Sequence, residues 1–88
     1  MTATETEYKI TLSQGTFQSG AYVIRAVNSG TQSHNLNISG PGVTAATADL
    51  APGQSSSLNV TLQAGSYELW CSIGSHRTLG MDVHITVG

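Results

Sequence analysis

The chain has 88 residues, only 9% of them charged, with three Lys or Arg set against five Asp or Glu for a formal charge of −2. Such a length supports one domain with one core, and the thin negative charge leaves no basic stripe to neutralise nucleic acid phosphates or hold an anionic membrane surface. No apolar run approaches the ~20 residues of a membrane helix, and no basic start followed by an apolar stretch marks a signal peptide, so no membrane span is expected and the chain is expected either to begin at its mature domain or to have been cut to it.

Eleven Ser and eleven Thr supply the polar surface, a mix that favours strands over helices. In chain order, the opening MTATET lacks an apolar pattern, so residues 1–6 are expected to form a flexible segment and 7–88 the single folded domain. Tyr8, Ile10 and Leu12 alternate onto one strand face, and Tyr22, Ile24 and Ala26 onto the next. After the turn signal Asn28-Ser29-Gly30 come His34, Leu36 and Ile38. Gly40-Pro41-Gly42 and Ala51-Pro52-Gly53 suit turns, with room between them for one short strand at Val43 to Thr47. Leu58, Val60 and Leu62 share a face, a tight turn at Gln63-Ala64-Gly65 leads into Tyr67, Leu69 and Cys71, and Met81, Val83, Ile85 and Val87 close the chain. Nothing apolar repeats at helical spacing, so the pattern predicts an all-β, two-layer sandwich of about seven strands.

One cysteine cannot make an internal disulfide, and Cys71 needs another explanation. Three candidate metal donors fall on core-facing positions: His34 in phase with Leu36, Cys71 with Leu69, and Met81 with Val83. If neighbouring strands run antiparallel, all three meet at one end of the sandwich, and His76 lies in the loop joining Cys71 to Met81. Taken singly, each has a plainer reading: a hydrogen-bonded core histidine, a small hydrophobe, a gap filler. Taken together, with C-x4-H-x4-M spacing in one loop, they make a ligand set. A thiolate, two imidazoles and a weak thioether suit one copper ion in both oxidation states and hence single-electron transfer. Met81 argues against structural zinc. A nucleophilic Cys–His enzyme is not expected, because no helix N-terminus is predicted beside Cys71 to activate it and a chain this short has little room for a cleft.

The runs Ser33-His34-Asn35-Leu36, Gly65-Ser66-Tyr67-Glu68-Leu69-Trp70-Cys71, Ser72-Ile73-Gly74-Ser75-His76, Met81 and Val83-His84-Ile85-Thr86-Val87 resemble those of the cupredoxins, the plastocyanin- and azurin-like blue copper proteins. The resemblance implies a Greek-key sandwich, equatorial ligands His34, Cys71 and His76, an axial Met81, Asn35 pinning the ligand loop by hydrogen bonds, and Ser72 close behind the ligands. Many relatives carry Pro-Gly before the loop histidine, where this chain has Gly74-Ser75, without the stiffening of proline. Alternation turns Trp70 and His84 outward, so His84 is left out of the site. Gly74, Ser75, Leu79 and Gly80 form a candidate docking patch around His76, through whose edge electrons would pass to transient redox protein partners. A monomer in an extracytoplasmic compartment is expected. A copper carrier or store using the same four residues is the alternative.

Overall fold

In the computed structural model, which describes residues 1–88, the amino terminus is built into the fold. Thr2–Thr6 forms strand β1, where the sequence pattern predicts a flexible segment. Its alternation turns Ala3 and Glu5 inward, and neither keeps any exposed surface. Because one of these two inward residues is a carboxylic acid, the segment has no apolar period, which is why composition alone mistakes it for a tail. β1 supplies the eighth strand.

The first sheet adds β2 (Lys9–Leu12), β3 (Gly20–Asn28) and β6 (Ser55–Leu62) in the order β2-β1-β3-β6. β1 runs antiparallel to β2 and parallel to β3, with Ala3 opposite Ala26 and Glu5 opposite Asn28. β3 and β6 pair antiparallel from Gly20 opposite Leu62 to Val27 opposite Ser55. The second sheet is antiparallel throughout and holds β4 (Asn37–Gly40), β5 (Val43–Ala46), β7 (Gly65–Trp70) and β8 (Asp82–Val87) in the order β5-β4-β7-β8. The predicted short strand is β5, paired with β4 across the Gly40-Pro41-Gly42 turn. The turn at Gln63-Ala64-Gly65 carries the chain from one sheet to the other, so it is a corner of the sandwich and not a hairpin.

Between the layers lie Ile24, Ala26, Leu36, Ile38, Leu62, Tyr67, Leu69, Ile85 and Val87. Each fully buried Leu or Ile adds about 1.5–3 kcal/mol relative to exposure. Phe17, on the connection from β2 to β3, bridges to Val87 and straps that connection across the edge of the second sheet. Tyr67 shapes the opposite corner: its hydroxyl donates to the Pro41 carbonyl at 2.8 Å and accepts from the Gln63 amide at 2.9 Å. A Cβ on Gly40 would come within 2.3 Å of the Tyr67 ring, so only glycine fits under it.

Candidate metal centre

Both β4 and β8 run antiparallel to β7. The register therefore sets Met81, just before β8, beside Cys71, just after β7, and leads His34, three residues before β4, to the same end of the sandwich. His34 stands outside the strand it was expected to open, since β4 begins only at Asn37. It is fixed instead by a reciprocal bridge to Leu50, with His34 N–H donating at 3.0 Å and Leu50 N–H donating back at 2.7 Å. His34, Cys71 and Met81 have no exposed surface. The Cys71 amide donates to the Met81 carbonyl at 3.1 Å, and the Met81 amide to the His76 carbonyl at 3.0 Å.

His76 is half-buried and opens a single helical turn, α1 (His76–Leu79), which the sequence pattern does not reveal. Four residues are too few for helical periodicity to show. The turn ends at Gly80, whose φ is +133° and where a Cβ would lie 2.6 Å from the Tyr8 carbonyl oxygen. The Met81 amide bond to the His76 carbonyl closes the loop, and His76 Nδ1 faces Cys71.

The two imidazoles present Nδ1 to each other at 3.2 Å, and Cys71 Sγ lies 3.9 Å from His34 Nδ1 and 3.6 Å from His76 Nδ1. The circle through these three atoms has a radius of about 2.1 Å, close to the ~2.0–2.3 Å at which a first-row metal such as zinc sits from imidazole nitrogen and thiolate. The donors are therefore spaced as the edges of a coordination triangle. The far nitrogens are held too: His34 Nε2 lies 3.3 Å from Glu7 Oε1, and His76 Nε2 lies 3.0 Å from Gln32 Oε1. Burial pushes His34 below its ordinary value against the opposing pull of Glu7, so the ring is neutral at pH 7. Burial would raise Glu7, but hydrogen bonds from the Gln32 and Thr31 amides and from His34 outweigh it and bring its carboxyl to about 2.

No family model matches the chain, and no curated protein matches its sequence. Solved structures do match. The dithionite-reduced auracyanin of the photosynthetic bacterium Roseiflexus castenholzii superimposes with a TM-score of 0.83 at 21% identity, over 99% of this chain and 94% of that one. Auracyanin B gives 0.78 at 18% identity, over 100% and 87%. The chain has the cupredoxin fold.

Around the donor triangle, this cupredoxin fold brings Asn35, expected to pin the loop, onto Ser72. Asn35 donates to Ser72 Oγ at 2.9 Å and accepts from the Ser72 amide at 2.8 Å, so the residue after His34 is clamped to the residue after Cys71. Gly74, Ser75, Leu79 and Gly80 are all exposed, Leu79 by 56%. The His76 edge is not bare, however, because Gln32 occupies Nε2 and the Tyr8 ring lies 5.2 Å away. Arg77, the only charge in the loop, is folded back over the Trp70 ring at 4.6 Å and pairs with Glu68, with Asp82 at 3.8 Å. Trp70 is thus half-covered on the outer face, and His84 stands exposed beside the same carboxylates. Glu7, Gln32 and Tyr8 escape sequence reasoning: Glu7 precedes His34 by 27 residues, and no spacing rule joins them.

Proposed function

We propose that the protein holds one copper ion through His34, Cys71, His76 and Met81 and carries single electrons between redox proteins. The observation that carries this reading is the triangle of two Nδ1 atoms and one Sγ, with a fully buried Met81 whose backbone bonds to both Cys71 and His76. Soft sulfur donors favour the reduced ion and imidazoles tolerate the oxidised one, so copper bound there would supply a one-electron couple.

The chain's part is to keep the donors still. The β7–β8 pairing fixes Cys71 and Met81, the Leu50 bridge fixes His34, the Asn35–Ser72 clamp ties the two sides together, and burial of the sulfur keeps out water and small thiol reagents. A site that changes little between oxidation states exchanges electrons with little rearrangement. The carrier or store alternative is less well supported, since handover of copper calls for accessible sulfur and both sulfurs here are enclosed. Docking is assigned to the exposed surface of Gly74, Ser75, Leu79 and Gly80, with a transient protein partner, a monomeric carrier and an extracytoplasmic location as parts of the same proposal. No helix is long and apolar enough to cross a membrane.

Addition of one equivalent of Cu(II) should produce an intense visible thiolate-to-copper band. Cys71→Ser should abolish it. A band that persists in that variant would refute the assignment.

A further inference from the structure

Both imidazoles are held from behind, and the two holders belong to one device. Glu7 Oε1 accepts from the Thr31 amide at 2.7 Å and the Gln32 amide at 2.6 Å, and it faces His34 Nε2. Gln32, whose amide is on that carboxylate, places its own Oε1 against His76 Nε2 and donates from its side-chain nitrogen to the Tyr8 hydroxyl at 3.0 Å. In this orientation the amide nitrogen meets a hydroxyl that can accept and the amide oxygen meets the ring. A carboxylate oxygen and an amide oxygen can only accept, so His34 carries its hydrogen on Nε2 against Glu7, and His76 does so with the Gln32 amide in this orientation. Each Nδ1 then keeps a free lone pair, aimed at the other and at Cys71.

We propose that Glu7 and Gln32 are positioning residues that set the tautomer and orientation of His34 and His76 before any metal arrives, and that the Glu7 charge biases the site toward the oxidised ion. The inference rests on the copper reading given above. Partners of this kind orient metal-bound histidines and raise their basicity, and a charged acceptor makes a bond about twice as strong as a neutral one. The two holders also act unequally: His34 receives a full negative charge, while His76 receives a neutral amide on an exposed side chain. His34 is the fixed ligand, and His76 the one whose surroundings a docking partner can alter.

The test uses the full chain, metal-free and copper-loaded. In metal-free protein, nitrogen-detected NMR of the imidazoles should find both rings as Nε2–H tautomers. Glu7→Gln keeps an acceptor and removes the charge, so it should leave the His34 tautomer and the visible band in place. It should also lower the Cu(II)-to-Cu(I) affinity ratio about tenfold, an upward midpoint shift of about 59 mV. Glu7→Ala should weaken Cu(II) binding about 10- to 100-fold and give His34 mixed tautomers. Gln32→Ala should do the same to the tautomer of His76 alone. If Glu7→Ala fails to fold, Glu7→Gln and Gln32→Ala decide the matter. An Nδ1–H ring in the metal-free wild type, or an unshifted potential in Glu7→Gln, would overturn the proposal. Failure of the wild type to take up copper would defeat the functional reading, while the metal-free tautomers would still decide the positioning roles.

Discussion

Glu5 is a carboxylic acid with no exposed surface and no hydrogen-bond partner for either oxygen. Burial pushes its carboxyl from 4.5 up to about 8, so the folded chain keeps a proton there that the unfolded chain releases above pH 4.5. Between those values the native state binds more protons than the unfolded one, and stability must fall as pH rises. At about 1.36 kcal/mol per pH unit, the whole interval amounts to about 5 kcal/mol, a large share of the 5–15 kcal/mol that holds a small domain together. Glu5→Gln removes the ionisation and keeps the shape. Urea denaturation of metal-free wild type and variant from pH 5 to pH 8 isolates the effect, because every other titrating group, Glu7 and His34 included, is common to both chains. The variant should gain on the wild type steadily with pH. With m values of about 1–3 kcal/mol per molar urea, the midpoints should separate by more than about 1 M. Stability curves that stay parallel over this range would refute the account of Glu5 as a neutral, unpartnered acid.

Met81 and the docking surface offer two further measurements. Met81→Gln should retain copper and lower the midpoint potential by more than one tenfold step in the Cu(II)-to-Cu(I) ratio, about 59 mV, whereas loss of all copper would make Met81 a principal ligand. Because Arg77 is neutralised against Glu68 and Asp82, electron exchange should change less than severalfold between low salt and about 0.5 M, where the Debye length is roughly 4 Å. Leu79→Asp should then slow exchange more than Arg77→Ala, and the reverse order would mean that charge governs the encounter.

The donors His34, Cys71 and Met81 were legible because strand alternation reports facing, and antiparallel neighbours convert facing into proximity. That logic held although His34 precedes its strand, since the Leu50 bridge continues the pleat by one more paired residue. Other features were invisible for a shared physical reason. Glu5 breaks the alternation of β1 because a buried acid imitates a solvent-facing one in sequence. Glu7 and Gln32 act through contacts with residues distant in the chain, which no local period encodes. The one-turn helix at His76 is too short for a period to show, and the space that only a glycine at position 80 leaves beside the Tyr8 carbonyl is a tertiary constraint.

The place of β1 alters what a deletion at the amino terminus would do. Thr2–Thr6 is the only strand paired with β2 and the only one lying between β2 and β3, so removing it would not trim an end but open a slot through the middle of a sheet. The slot would expose unpaired backbone on two sides, the kind of edge onto which a neighbouring chain adds a strand. Its walls ask for one extended segment, antiparallel to one side and parallel to the other, with a small residue and an acid turned inward. A chain cut there would become a receptor for its own first six residues, and the sandwich could be reassembled from two pieces, with the copper donors all on the larger one.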